Sequence, residues 1–323
     1  MKITLITATY NSAKNLRDCL QSVAEQTYPN IEHIVIDGGS TDETLEIIKA
    51  TTSVTKYISE PDQGIYDALN KGIQLATGDV IGFVHSDDML ASPTIISAIV
   101  KEFLSPPMEG DVRRIEGVNN IQPDISLERE RPLPPPTSEN SPSERGINSF
   151  PNNNELEKEE LSPARGEMSE GKRGSKPSEK KVHGVYGNLV FIDPENPDKI
   201  VRTWISEPFD RSQVRHGWMP PHPTLFLRRE MYEKHGLFDT TFKIAGDYDF
   251  MVRIMKDPAI RLYNIPMIIV KMRKGGASTG NFKSLILKKK EDLQVMKKNG
   301  FNFPLWTLLL KNLRKSTQLV FKS

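Results

Sequence analysis

Two adjacent carboxylates, Asp87 and Asp88, close the stretch Val84-His85-Ser86-Asp87-Asp88, which follows the apolar run Val80-Ile81-Gly82-Phe83. The run reads as a buried strand, and Gly78-Asp79 before it as the turn that enters it. Two like charges delivered side by side at the end of a buried strand repel each other and resist desolvation. A divalent cation bridged to a phosphate would offset that cost. Hard carboxylate oxygens suit Mg²⁺ or Mn²⁺, ions usually held by one or two carboxylates plus substrate phosphates. The competing reading is that Asp87 and Asp88 cap a helix, because Ser92-Pro93 and an apolar periodic run follow. These residues alone leave both readings open.

The elements that would position them begin at the N-terminus. Ile3 to Ala8 is β-rich and ends in Thr9-Tyr10-Asn11; Ser12 then stands where a helix N-cap would, before the stripe Leu16, Cys19, Leu20 and Val23. Ile31 to Ile36 is a second strand, ending in Asp37-Gly38-Gly39-Ser40-Thr41-Asp42. Thr44 to Lys49 starts another helix and Val54 to Ile58 a short strand. Strand, helix, strand, helix with short links predicts a parallel sheet covered by helices. Ligands of such sheets bind outside the carboxyl ends of the strands, where Tyr10-Asn11, Asp37-Gly38-Gly39 and Asp87-Asp88 all fall. The chain has neither a G-x-G-x-x-G after its first strand nor a G-x-x-x-x-G-K-[ST], which argues against a dinucleotide dehydrogenase and a P-loop NTPase.

Composition narrows the setting. With 323 residues the chain has room for one large domain or two small ones. Its 43 Lys and Arg nearly balance 42 Asp and Glu, so no global charge points to nucleic acid. The single Cys19 rules out a disulfide framework, suits a reducing compartment and, at helical spacing in its stripe, reads as core. The N-terminus enters a strand pattern with no signal-peptide apolar region, and no apolar run approaches a membrane span, which predicts a cytoplasmic protein.

One further stretch, Ser59-Glu60-Pro61-Asp62-Gln63-Gly64-Ile65-Tyr66-Asp67-Ala68-Leu69-Asn70-Lys71-Gly72, crowds Asp62, Asp67, Asn70 and Lys71 around a helical stripe; for Asp67 a solvated face is the better reading. Together with Thr9-Tyr10-Asn11, Val35 to Asp42 and His85-Ser86-Asp87-Asp88, this stretch resembles the inverting family 2 glycosyltransferases of GT-A fold, in the family's order and spacing over residues 1 to about 104. His85 departs from the pattern, since members often carry Asn there. The resemblance implies an α/β GT-A domain, with a Rossmann-like mixed sheet flanked by helices. It also implies transfer of a sugar, with inversion, from a nucleotide-diphosphate donor, UDP-linked for preference, to the hydroxyl of a saccharide or lipid-linked acceptor in polysaccharide or glycolipid synthesis. By the same resemblance Asp37 and the Thr9-Tyr10-Asn11 turn hold base and ribose with Asp62 nearby, and Gly39 and Lys71 join this nucleotide-binding set. Asp87 faces ribose and metal, and Asp88 ligates the Mg²⁺ or Mn²⁺.

From about 105 to 181 the character changes. This stretch holds 11 of the 23 prolines and one aromatic, Phe150, among dense mixed charge. It cannot bury enough apolar surface to offset chain ordering, which predicts a disordered insertion. A proline-rich docking linker is the rival reading. Strand patterning returns at Val182 to Asn188, and Ala245-Gly246-Asp247-Tyr248-Asp249-Phe250 opens a helix. A helix N-cap is a sufficient structural reason for Asp247. It also matches the family's acidic motif, whose first Asp is the general base. Arg228-Arg229 and Gly275-Gly276-Ala277-Ser278 match later landmarks, so the resemblance resumes over about 183 to 279. Trp218 and His222 would line the acceptor pocket or pack this second half, residues 182–280.

The tail, 281–323, alternates Lys288-Lys289-Lys290, Lys297-Lys298, Lys311, Arg314 and Lys315 with Leu285, Ile286, Phe303, Leu305, Trp306 and Leu308 to Leu310. It reads either as an interfacial helix on the inner face of a membrane or as a helix packed on the catalytic domain with its charges in water. Two other function classes stay open. One is a non-catalytic nucleotide-sugar-binding module, against which Asp88 and Asp247 together argue. The other is a metal-dependent nucleotidyl- or phosphotransferase, which would release pyrophosphate instead of free UDP.

Overall fold

Every residue of the first strand, β1 (Ile3–Thr9), is buried, which requires cover on both faces of the sheet it belongs to. The computed structural model describes residues 1–105, 181–275 and 282–320, all of them in one compact unit formed by Met1–Asn119 and Lys180–Ser323. The expected disordered insertion lies outside the described residues except for its two ends, as do Gly276, Ala277 and Ser278.

Strand β1 pairs in parallel with β2 (Ile31–Asp37) and with β4 (Val80–Phe83), and β2 in parallel with β3 (Lys56–Ser59). The helices α1 (Ala13–Ala24), α2 (Thr44–Ala50) and α3 (Ile65–Leu75) make the connections. The expected stripe on α1 is the buried one: Leu16, Cys19, Leu20 and Val23 all face the core. After β4 the sheet changes sense. The short β5 (Asp88–Leu90) runs antiparallel to β9 (Leu262–Arg273), and β8 (Phe226–Arg228) antiparallel to β4 and to β6 (Gly184–Ile192). Strands β6 and β9 are parallel, and β7 (Ile200–Trp204) adds antiparallel to β6. The order is β3-β2-β1-β4-β8-β6-β9-β5, a mixed sheet as expected. Its sharpest departure from the sequence reading is β5: Asp88 does not cap a helix but opens a strand, and the next helix, α4 (Ile95–Leu104), has Thr94 in its N-cap position.

The second half adds α5 (Arg211–Val214), a single 3₁₀ turn at His222–Thr224, α6 (Arg229–His235) and α7 (Gly246–Met255). Gly236 ends α6 with φ +76°, a left-handed conformation that favours glycine. Trp218 is buried, its indole against Tyr186 and Phe209. Packing is thus a sufficient reason for this residue, the second of the two readings that the sequence offers for it.

The tail forms α8 (Phe282–Lys298) and α9 (Pro304–Val320), and it packs in part on the rest of the unit. Val295 and Met296 join the main core, as a packed helix should. On α9, however, the buried face carries polar residues. Thr307 donates to the carbonyl of Arg215 at 2.9 Å, and Lys311 bonds Asp292 at 2.9 Å with its ammonium over the Tyr248 ring. Leu305, Trp306 and Leu309 face outward instead, 74%, 60% and 49% exposed. No helix among the described residues is long and apolar enough to cross a membrane.

Asp249 ties the tail to α7. It is fully buried and accepts from Arg253 at 2.9 Å, Lys298 at 3.1 Å and Asn299 at 3.0 Å. Asp249→Asn should therefore destabilise the protein by roughly 2–3 kcal/mol, below the ~3–5 of a pair buried on both sides because Lys298 is 43% exposed. Chemical denaturation measures it, and an unchanged midpoint would remove the anchor role.

Candidate active site

Three strand ends are laced together at one edge of the sheet. Asn11, just past β1, has φ +46°, a conformation that Asn tolerates better than most residues. Its Oδ1 accepts the Thr41 amide at 2.9 Å, and its own amide donates to Ser40 Oγ at 2.8 Å. Ser12, in the N-cap position of α1 without capping it, meets Ser86 hydroxyl to hydroxyl at 3.0 Å, which joins the β1 loop to the β4 loop. Gly38 lies against both Tyr10 and Asp62: a Cβ added there would stand 2.7 Å from Asp62 Oδ2 and 3.4 Å from the Tyr10 ring. Tyr10, Gly38 and Asp62 thus share one place, with Tyr10 61% exposed above it. Thr9 Oγ1 is buried there without a partner among the described residues.

The remaining expected nucleotide residues are engaged within the protein. Asp37 is fully buried, and its carboxylate accepts from the amide and hydroxyl of Ser40 and from Ser59 Oγ at 2.6 Å. Gly39 has φ +79°, which makes it the pivot of that turn. Lys71 is paired with Glu60 at 2.7 Å and Asp67 at 3.5 Å, and the bond to Glu60 holds its ammonium above the usual lysine range. These three shape the loops around Tyr10 and Asp62.

Asp88 is the reverse case. It is fully buried, and neither carboxylate oxygen has a hydrogen-bond partner among the described residues. Burial, then the neighbouring Asp87, push its carboxyl well above the usual range, while Arg273 pulls the other way. Burial raises Asp87 as well, again against Arg273. Arg273, at the end of β9, is itself buried and bonded to Asp18, with Nε and one terminal nitrogen unpartnered among the described residues. Two adjacent carboxylates, one of them with both oxygens unpartnered among the described residues, fit a divalent cation. No group of three or more His, Cys, Asp or Glu among the described residues is placed to hold a metal. Phosphate and water oxygens would therefore complete the shell, the usual arrangement around Mg²⁺.

The second carboxylate meets this edge through two histidines. Asp247 is the second residue of α7, and Ala245 holds the N-cap position, so capping does not explain the aspartate. Its Oδ2 lies 3.1 Å from His222 Nδ1, and His222 Nε2 lies 3.3 Å from Nε2 of His85, three residues before Asp88. With His222 neutral, its Nδ1–H donates to Asp247 and its Nε2 accepts from His85. Burial, with His222 beside it, pushes the His85 pKa down to about 3, so that ring is neutral. Tyr66 of α3 shares its single phenolic proton between the Ile244 carbonyl at 2.6 Å and Asp247 Oδ1 at 3.1 Å. Gly246 admits that ring, since a Cβ there would stand 2.7 Å from it. Burial pushes the Asp247 carboxyl up, but His222, the Tyr248 amide, Lys311 and Lys288 outweigh it and hold the group below its usual value. The site therefore keeps one carboxylate ionised and oriented, and leaves another buried without a hydrogen-bond partner among the described residues. Sequence reasoning missed Tyr66 and Arg273, and His222 touches the expected base directly.

Asp88→Asn replaces a buried carboxyl whose charged form burial and Asp87 disfavour. The metal-free protein should gain of order 1 kcal/mol, roughly 2–4 °C in melting temperature, and should lose the further rise that Mn²⁺ with UDP gives the parent. A lower metal-free melting temperature with the Mn²⁺ response intact would make Asp88 a structural residue.

Comparison with known proteins follows this geometry. Residues 4–151 match the sequence model described as Glycosyl transferase family 2. A PGL/p-HBAD biosynthesis glycosyltransferase of Mycobacterium bovis is 45% identical over 91 residues, 27% of this chain and 36% of that protein. The chain spans little more than a third of the length of the curated relatives it matches. Among solved structures, S. aureus TarS 1-349 in complex with UDP-GlcNAc aligns with a TM-score of 0.51 at 15% identity, over 93% of this chain and 65% of that one. The mannosyltransferase PcManGT from Pyrobaculum calidifontis, in complex with GDP-Man and Mn²⁺, aligns with a TM-score of 0.50 at 15% identity, over 100% and 76%. At such identities the likeness speaks for the fold. Residues 4–151, a little under half of the chain and with the paired aspartates inside them, thus resemble glycosyl transferase family 2, and the mixed sheet around them is similar in fold to these structures.

Proposed function

We propose that this protein moves a sugar from a nucleotide-diphosphate donor, UDP-linked for preference, to an acceptor hydroxyl with inversion at the anomeric carbon. The observation that carries this reading is the Asp88 carboxylate, unpartnered among the described residues, three residues after His85, whose ring meets His222 and through it the oriented, ionised Asp247. The complexes of the structural neighbours with UDP-GlcNAc and with GDP-Man and Mn²⁺ support the donor class. The segment 1–104 supplies the nucleotide-sugar side and 182–280 the acceptor side.

In this reading Tyr10 and Asp62 receive the base and ribose, on loops fixed by Asp37, Gly39, Asn11 and Lys71. Asp88, with Asp87, would hold Mg²⁺ or Mn²⁺, which when bound neutralises the diphosphate as it leaves. Asp247 takes the proton of the acceptor hydroxyl as that oxygen bonds the anomeric carbon. The bond from that carbon to the diphosphate breaks, and its electron pair leaves with the nucleoside diphosphate. His222 and Tyr66 hold the two oxygens of Asp247 so that the lone pair is presented in one direction.

Asp247→Asn should lower transfer by at least ~10²-fold with UDP affinity unchanged, because general-base help is worth ~10²–10⁴-fold. The release of UDP, not pyrophosphate, from a panel of UDP-, GDP- and dTDP-sugars measures it, and an active variant would remove the base. The pH profile separates Asp247 from its neighbour. Since His222 helps hold Asp247 below its usual value, the acid limb of kcat should lie below about pH 4. A limb between about pH 6 and 7 would move the base to His222.

The acceptor is a saccharide or a lipid-linked molecule, reached by a protein that sits peripherally on the cytoplasmic face of a membrane. The outward Leu305, Trp306 and Leu309, with Phe303 73% exposed before them and exposed Lys289, Lys290 and Lys297 on α8, support this placement. The double variant Leu305→Glu, Trp306→Glu should release the protein from anionic vesicles in flotation at an unchanged melting temperature. Undiminished vesicle binding would place the contact elsewhere.

A further inference from the structure

We infer that Glu291, on the C-terminal helix α8, is a positioning residue for the base, so that the tail is part of the catalytic apparatus as well as an appendage. This inference rests on Asp247 acting as the base. Helix α7 begins without a side-chain cap, since Ala245 occupies the N-cap position. Three consecutive amides lead into it, and one carboxylate takes them all. Glu291 accepts from Lys243 at 3.0 Å, from Ile244 at 2.8 Å and from Ala245 at 2.9 Å. It is 5% exposed. Charge-assisted bonds of this kind are roughly twice as strong as neutral ones, and a buried carboxylate with three donors is fixed in place.

The same backbone is gripped from its other side. Tyr66 donates to the Ile244 carbonyl, and its ring fills the space that a side chain at position 246 would need. Residues 243–246 are therefore clamped between α3 and α8, and Asp247 is the next residue. Its carboxylate direction follows from that clamp as much as from His222. Misplacing a catalytic group by about 1 Å can cost ~10²-fold, which is the scale on which a loosened clamp would be felt. The remaining anchors of α8, namely Lys298 to Asp239 and Asp249 and Asp292 to Lys311, hold the helix without touching this backbone.

The test uses the full chain with Glu291→Gln, Glu291→Ala, Asp247→Asn and the double variant Glu291→Ala, Asp247→Asn, with Lys298→Met as a control that weakens α8 docking elsewhere. Turnover is followed as UDP release from the donor selected in the panel, and affinity by calorimetry with UDP and Mn²⁺. Glu291→Ala should lower kcat by ~10–100-fold with UDP affinity within twofold of the parent, and Glu291→Gln, which keeps one acceptor oxygen, should lose less. In the Asp247→Asn background Glu291→Ala should add no further loss, because residues that act through one group are not additive. Lys298→Met should lower the melting temperature and leave kcat within twofold. Amide exchange of Lys243 to Ala245 should quicken at least tenfold in Glu291→Gln, a readout that survives if the alanine variant fails to fold. Multiplicative losses, or unchanged exchange, would overturn the role of Glu291 while leaving the base assignment standing. Full turnover in Asp247→Asn alone would overturn the base and this inference with it.

Discussion

A carboxylate buried without a partner is the constraint around which the site is arranged. Asp88 opens a strand of only three residues, paired antiparallel to the end of β9, so its backbone is fixed and its side chain cannot swing to solvent. The nearest relief in the protein is Arg273, whose electrostatic pull falls short of what burial and Asp87 impose. An ion pair in this position would be self-sufficient and inert. A buried carboxylate without such a pair would be relieved by a ligand that brings a positive centre.

The acceptor side depends on a different device, convergence from distant segments. Asp247 is reached by Tyr66 from α3, by His222 from the 3₁₀ turn and, through its backbone, by Glu291 from α8. His85 then bridges to the strand that ends in the aspartate pair. Residues 66, 85, 222, 247 and 291 form one connected set, so a disturbance in either half of the unit reaches Asp247. The outward apolar side chains of α9 lie on the same tail that supplies Glu291.

Much of this was legible in the sequence because it rests on local pattern. The β-branched runs Ile3 to Ala8 and Ile31 to Ile36, each ending in a polar turn, mark parallel strands, and the structure shows them paired in parallel. The Asp87-Asp88 pair was visible as an expense in need of an explanation. What escaped was nonlocal or masked by another signal. Tyr66 lies in a helix whose apolar stripe reads as core, and only the fold shows its hydroxyl meeting a residue 181 positions away. Strand β9 contains Pro266, which ordinarily argues against a strand; the register shifts opposite it, between Tyr186 and Leu189 of β6, accommodate the missing donor. Arg273 was hidden with that strand. Periodicity on α9 announced an amphipathic helix but could not say which face turns inward, and burial gave the inner face to Thr307 and Lys311. Trp218 was ambiguous for a simpler reason, since an indole packs a core and lines a sugar site equally well.

The central claim, that the orphaned carboxylate of Asp88 is a metal position completed by a nucleotide diphosphate, is tested most directly by anomalous diffraction from crystals soaked with Mn²⁺ and UDP. The account predicts a single strong manganese peak at direct bonding distance from Asp88, with diphosphate oxygens in the same shell and the uracil beside Tyr10 and Asp62. A manganese peak away from Asp88, or UDP bound with its diphosphate remote from the Asp87-Asp88 pair, would contradict it.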